Sequence, residues 1–254
     1  MADFSKWRCR ASCLGNLMVE PKDKGAKERG DLSETAKTYL ISAYIKEKYS
    51  REENISTRQM EKGTLCEPGG IALFNQVEGK EYKKNHKRLF NDWFVGSPDL
   101  FLGETIEEAT EIYDDKCPWS LNTFLSNLTK PLNSLYYAQI QAYFDLTGVD
   151  DGGVVYTLVN APENMITDEL YYLARRMGVI DVSVPPKEYE IAAAKIELSM
   201  KFDDIDPKER VLKFPVTRDN DFIERAKAKV AKGRIFLQEL EEKHLNFNHA
   251  KQKS

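Results

Sequence analysis

Two stretches decide the fold of this chain: Trp93-Phe94-Val95-Gly96-Ser97-Pro98-Asp99-Leu100-Phe101-Leu102 and Glu111-Ile112-Tyr113-Asp114-Asp115-Lys116-Cys117-Pro118. Each contains short apolar runs bounded by Gly, Ser or Pro, the pattern of strands broken by turns. The first predicts strands over 93–95 and 100–102 flanking a turn at 96–98. The second predicts a strand that opens at Glu111 and ends at Cys117-Pro118. If the strands pair as a hairpin-like unit, Asp99 at the start of one and Asp114 near the end of its neighbour project to the same end of the sheet. Side chains two apart on a strand share a face, so Lys116 joins Asp114 and the Asp115 side chain points the opposite way.

Upstream, Ser33 reads as the N-cap of a helix from about Glu34 to Tyr49, with Leu40, Ile41, Tyr44 and Ile45 as its apolar stripe. A second helix is expected to start near Glu67, with Pro68 in its first turn and Ile71, Ala72, Leu73 and Phe74 turned inward. Downstream, a helix is expected from about Ser134 to Leu146. Gly152-Gly153 then leads into Val154-Val155-Tyr156-Thr157-Leu158-Val159, whose apolar character suits a central strand. Two more helices are expected at about 167–177 and 219–243, with a polar, partly extended stretch between them. The last carries Phe222, Ala226, Val230, Leu237 and Leu240 on roughly one face, with Arg225, Lys227, Lys229, Lys232 and Arg234 around it, the pattern of a DNA-facing helix, a subunit contact or, more commonly, an amphipathic helix packed on the core. The order helix, strands, helix, strand defines a mixed α/β core with helical additions. With no repeat, low-complexity tract or Pro/Gly-rich linker, a single domain over 1–254 is expected. Its core covers about 30–180 and a C-terminal helical elaboration about 181–254.

A hydrophobic fraction of 41% and a charged fraction of 31% are those of a soluble globular chain. No apolar run reaches the roughly eighteen residues of a membrane span, and no signal-peptide pattern opens the sequence, so a cytosolic site without membrane contact is expected. Of the four cysteines, only Cys9 and Cys13 lie close together, and no second paired motif follows. Reduced structural thiols are therefore expected over disulfides, zinc or an iron–sulfur cluster.

The net charge of −4 hides a strong segregation. Residues 99–115 hold seven acidic side chains and no basic one, whereas 80–88 hold five basic and one acidic. Residues 225–234 hold five basic and none acidic, and 1–30 hold seven basic against four acidic. Such blocks suit either an acidic metal site ringed by phosphate-binding patches or a set of solvated helix faces.

Two carboxylates and a lysine at one sheet end are the groups that metal-assisted phosphodiester hydrolysis needs. The carboxylates can hold a hard divalent cation, and the lysine can orient water or stabilise developing phosphorane charge. A plain salt bridge uses the same residues, and spacing alone favours it.

Other motifs add context. Gly63-Thr64-Leu65-Cys66-Glu67 has the form Gly-x-x-x-Glu, and Tyr136-Tyr137-Ala138-Gln139-Ile140-Gln141 has the form Tyr-x-Ala-Gln-hydrophobic-Gln. Together with Ser97-Pro98-Asp99 and Asp114-Asp115-Lys116-Cys117-Pro118, they make four motifs in order over about residues 63–148. In this the chain resembles the PD-(D/E)XK nuclease superfamily, and within it the phage-type exonucleases of the lambda exonuclease and YqaJ-like viral recombinase kind. The resemblance implies a restriction-endonuclease-like core, a central mixed β-sheet flanked by helices. It implies that Asp99 and Asp114 ligate Mg²⁺ or Mn²⁺ with the Asp115 main-chain carbonyl, that Glu67 completes the acidic site, and that Lys116 is the catalytic lysine. Gln139 would position the site or touch the substrate backbone, and Gln141 would join it at the DNA.

The chain departs from the pattern at Asp114, where these exonucleases usually carry Glu. The shorter side chain moves either the metal or the strand, and Asp115 offers a second carboxylate beside it. Trp7-Arg8-Cys9-Arg10-Ala11-Ser12 is similar, with different spacing, to the family's Arg-then-Ser element for a terminal phosphate. Arg8, Arg10 and Ser12 are thus candidate DNA contacts. Some relatives of this fold also hold a four-cysteine cluster.

The function so implied is a metal-dependent exonuclease acting on linear double-stranded DNA ends, 5′ to 3′, in phage-type homologous recombination. Its expected setting is a bacterial host cytoplasm, with a homotrimeric assembly and a single-strand annealing protein as partner. A structure-specific endonuclease or CRISPR-associated nuclease of the same fold is the alternative within the enzyme class. A catalytically inactive DNA-end-binding protein is the alternative outside it.

Overall fold

The computed structural model describes residues 2–52 and 58–251. A two-residue strand β1 (Cys9–Arg10) and short helices α1 (Leu14–Met18) and α2 (Lys24–Glu28) lead into α3 (Glu34–Tyr49). Ser33 starts α3 as its side chain dictates: Oγ accepts the Ala36 amide at 3.1 Å, a cap worth about 1 kcal/mol. Ala36, Leu40 and Tyr44 form the buried ridge at i, i+4 spacing, whereas Ile41 and Ile45 are exposed. The stripe is thus narrower than the sequence pattern.

Helix α4 spans Arg58–Glu78, so the expected start near Glu67 misses residues 58–66, and Pro68 lies inside the helix. The reason is visible in what the helix buries. Lys62 and Cys66, four residues apart, face inward with Leu73 and Phe74, and a lysine and a cysteine do not register as an apolar stripe. Ala72, expected inside, is exposed.

Strands β2 (Lys83–Lys84), β3 (Leu89–Phe90), β4 (Phe94–Gly96), β5 (Leu100–Leu102) and β6 (Glu111–Lys116) follow. After them come α5 (Leu121–Ser126), α6 (Ser134–Thr147) and β7 (Asp151–Thr157). The chain closes with α7 (Glu163–Met177), α8 (Lys187–Met200), β8 (Val211–Thr217) and α9 (Asn220–Lys251). Helix α8 and strand β8 occupy what the sequence presents as a polar, partly extended stretch.

The main sheet has the order β2-β5-β6-β7-β8, and a smaller one has β1-β4-β3. In the main sheet β6 and β7 are parallel, joined across α6, and the remaining pairs are antiparallel, so the sheet is mixed. Gly152 and Gly153 let β7 lie close between its neighbours. A Cβ would stand 1.9 Å from the Ile112 carbonyl oxygen at the first and 2.1 Å from that of Phe214 at the second.

One apolar core runs through the molecule, from Phe4 and Trp7 through Phe94, Ile112, Phe144 and Val154 to Ala226, Val230 and Leu237. Full burial of each Leu or Phe contributes about 2 kcal/mol. The segment expected as a helical elaboration therefore also supplies a sheet strand and part of this core. Among the described residues no helix is long and apolar enough to cross a membrane.

Candidate active site

The antiparallel pairing of β5 with β6 sets Leu100 opposite Tyr113, which brings Asp99 beside Asp114 and Asp115. Asp99 Oδ2 accepts the Asp115 amide at 3.0 Å, pinning the Pro98-Asp99 corner to β6. From the other side Asn85 grips the same corner. Its Nδ2 donates to Ser97 Oγ and to the Pro98 carbonyl, both at 3.1 Å, and its amide donates to the Asp99 carbonyl at 2.9 Å.

Asp114 is 1% exposed. Its Oδ1 accepts Gln139 Nε2 from α6 at 2.9 Å, and the same nitrogen donates to Tyr143 Oη at 2.9 Å. Its Oδ2 stands 2.5 Å from Lys116 Nζ as an ion pair, but in a direction that makes no hydrogen bond. Lys116 Nζ also lies 5.0 Å above the Tyr136 ring.

Burial, and then the Asp114 carboxylate, push the Asp99 pKa well above the carboxylate range, with Lys116 pulling it back. Burial alone would lower the Lys116 pKa, but Asp114 and then Asp99 outweigh it and raise it above its ordinary value. The lysine is therefore an ammonium throughout the physiological range.

Asp115 occupies the other face of β6. Its Oδ1 accepts the Thr157 hydroxyl at 2.8 Å, and its Oδ2 faces the Cys117 thiol at 3.7 Å. It also lies against Gly70 of α4, where a Cβ would come 2.3 Å from Oδ2. Burial pushes its pKa up to about 7, offset in part by the Thr157 hydroxyl and reinforced by Asp114.

Asp99, Asp115 and Lys116 open onto a cleft of about 1190 Å³ whose wall includes Glu67, Trp119 and Tyr136. Asp114 is not on the cleft surface. Glu67 lies on that wall in an ion pair with Lys84 at 2.5 Å.

The donors at the site are those of a divalent-ion site. Asp99 and Asp114 are two carboxylates forced together in a largely buried place, and Asp114 Oδ2 is a buried oxygen without a directed hydrogen-bond donor. Among the described residues no three His, Cys, Asp or Glu side chains converge as a closed cage. Two carboxylates with open positions are the donor set that Mg²⁺ takes when water and phosphate complete its shell. The residues fit such an ion.

The structure separates the remaining sequence candidates. Gln139 is held on Asp114, whereas Gln141 is fully buried elsewhere: it donates to the Thr217 carbonyl and accepts the Asp219 amide, both at 2.8 Å. Gln141 ties α6 to β8 and the start of α9, and its amide is not available to DNA. Arg10 pairs with Glu52 at 2.7 Å, Arg8 donates to the Asn91 carbonyl at 2.5 Å, and Ser12 Oγ lies 3.9 Å from Cys13 Sγ.

The cysteines are all free, and burial pushes the Cys9 thiol up to about 12, so it is held as an inert thiol. The basic run over 80–88 is largely neutralised by the acidic run that follows it. Lys80 pairs with Glu111, Lys83 with Glu104 and Lys87 with Glu107. That lysine run is therefore not an open phosphate track, because segments complementary in charge have folded onto each other.

Sequence reasoning missed Lys62, which is 0% exposed. Its Nζ donates to the carbonyls of Pro118 and Trp119 at 2.9 and 3.1 Å, fixing the chain just after Lys116. Burial lowers its pKa. Asn85 was missed as well. Neither stands in a motif, and only the folded chain gives either its partners.

The chain is a mixed sheet with an acidic pair and a lysine at the end of its β5–β6 hairpin, flanked by helices. Solved structures share this fold over nearly the whole chain. A phage-related exonuclease from Haemophilus somnus 129PT superposes with a TM-score of 0.71 at 21% identity, covering 94% of this chain and 97% of that one. The alkaline exonuclease LHK-Exo from Laribacter hongkongensis gives 0.61 at 17% identity, covering 98% and 96%. Its complex with dAMP gives 0.57 at 19%, covering 96% and 94%. No family model and no curated protein matches the chain.

Proposed function

We propose that this chain is a divalent-metal-dependent exonuclease that degrades linear double-stranded DNA from its ends. The observation that carries the reading is the Asp99–Asp114–Lys116 cluster, two buried carboxyls beside a fixed ammonium, at the edge of an open cleft. The fold shared with the phage-related and alkaline exonucleases supports it.

In this reading Asp99 and Asp114, with the Asp115 main-chain carbonyl, hold Mg²⁺ or Mn²⁺, which when bound supplies Lewis-acid polarisation of the phosphate. Lys116, fixed as an ammonium by its two carboxylate neighbours, cannot take a proton from water. It donates hydrogen bonds that orient the attacking water and offset charge developing on the phosphate. Gln139 holds Asp114 through Oδ1 and leaves Oδ2 beside Lys116. Glu67 adds a carboxylate to the cleft wall when Lys84 releases it to the substrate backbone. By resemblance, digestion runs 5′ to 3′ within phage-type recombination in a bacterial cytoplasm, with a homotrimer and a single-strand annealing partner.

The test is digestion of end-labelled linear duplex and of a covalently closed circle, in Mg²⁺ and in Mn²⁺, by wild type, Asp114→Asn and Lys116→Ala. Wild type is expected to release label and spare the circle, and both variants to release none. Ends left intact by the wild type in both metals would mean that the chain binds DNA at most. A cut circle would make it an endonuclease of the same fold.

A further inference from the structure

The lysines that precede the acidic run are answered by acids, but a neighbouring group of cations is not. Lys6, Arg8, Arg88 and Phe90 line a separate pocket of about 360 Å³, together with Trp7, Val95 and Glu47. None of the three cations has a carboxylate ion-pair partner among the described residues. Their neighbours Lys80, Lys83, Lys84 and Lys87 all do. Glu47 is the single acid on the wall, so the pocket is net positive.

Phe90 is 66% exposed on a two-residue strand, a costly place for an aromatic ring with nothing over it. The Arg8 guanidinium lies 5.0 Å from its ring centre and covers one side, an arrangement that stiffens the ring and leaves the rest to solvent. Behind it Arg234 packs 4.8 Å from the Trp93 ring.

The pocket is tied to the candidate active site through the chain, though the two cavities share no wall residue. Phe90 pairs with Val95 and Leu89 with Gly96, and the chain from Val95 reaches Asp99 within at most ~14 Å. Ser97 Oγ donates to the Lys87 carbonyl at 2.8 Å and locks the two stretches together.

We infer that this pocket binds one unpaired nucleotide of a DNA strand, with the base stacked on Phe90 and the flanking phosphates on Arg88, Arg8 and Lys6. An aromatic platform flanked by unneutralised cations is the arrangement that holds single-stranded nucleic acid without reading its sequence. The volume suits a single base. A paired base has both faces covered by its stack, so only a nucleotide that has left the duplex can use Phe90. The inference rests on the nuclease reading only in taking DNA as the ligand.

The test is fluorescence anisotropy in EDTA, where no hydrolysis is read, with labelled oligothymidylate and with a blunt duplex of equal length. Phe90→Ala is expected to weaken oligothymidylate binding about tenfold while changing duplex affinity less than twofold, and Phe90→Trp to restore it. Arg88→Ala is expected to reduce the salt slope of single-strand binding by about 0.7. Wild type that does not bind oligothymidylate, or equal affinities and slopes in Phe90→Ala, Arg88→Ala and wild type, would overturn the inference. Because no arm contains metal or reads cleavage, the nucleotide pocket can fail while linear duplex is still digested. It can equally stand if digestion fails.

Discussion

The two faces of β6 hold adjacent carboxylates in opposite circumstances. Asp114, facing α6, is buried among charged and amide groups: Gln139 on one oxygen and the Lys116 ammonium beside the other, with Asp99 next to it. Asp115, facing α4, has a hydroxyl, a thiol and the bare backbone of Gly70. One face therefore sets two carboxylates beside a fixed cation, and the other surrounds its carboxyl with uncharged groups. Two residues of one type, side by side in sequence, are given different chemistry by nothing more than the alternation of a strand.

The largest test of this contrast compares Asp114→Asn with Asp115→Asn on linear duplex. The first is expected to lose about a thousandfold or more in rate, and the second less than tenfold. Equal losses would show that the α4 face shares the chemistry. Next, Gln139→Ala frees Asp114 Oδ1 and is expected to cost about 10- to 100-fold in turnover with KM little changed, read in steady-state kinetics.

A thermal measurement sharpens the α4 face. Asp115 keeps its proton up to about 7 in the folded chain but only to about 4 when unfolded. Between those values the folded state binds the extra proton, so this contribution is complete at the acid end and is lost as pH rises through about 7. Relative to Asp115→Asn, the wild type in EDTA is expected to lose roughly 10 °C in Tm between pH 4 and pH 8. A difference that grows with pH would place the charged form of Asp115 in the fold. The smallest effect is expected from Cys117→Ser, which keeps a donor beside Asp115 and should change digestion less than twofold. Loss of folding or of bound iron in that variant would revive a cluster.

How much of this was legible follows the range of the interactions. The Ser33 cap, α6 and the strands around Asp99 and Asp114 depend on neighbours a few residues away, and their patterns are written locally. The facing of Asp114, Lys116 and Asp115 follows from strand alternation alone. Lys62 and Gln141 read as surface residues because lysine and glutamine usually are, and only distant carbonyls make their burial affordable. The beginning of α4 was hidden for the same reason, since Pro68 looks like a first-turn residue once Lys62 is not counted as inward. The pairing of the 80–88 lysines with the acids over 104–111 needs two segments to meet across β2 and β5, which a charge count along the chain does not contain.

The position of β6 between β5 and β7 has a consequence for how the molecule opens. Strands paired on both edges exchange their amide hydrogens last, because only global unfolding exposes them. Asp114 and Lys116 ride on such a strand, and Asp99 is tied to it by the Asp115 amide. Glu67 and Lys62 ride instead on α4, a helix laid against the sheet. Sub-global opening of α4 would thus uncover one wall of the cleft and release the Pro118-Trp119 corner while the acidic pair and its lysine stayed assembled.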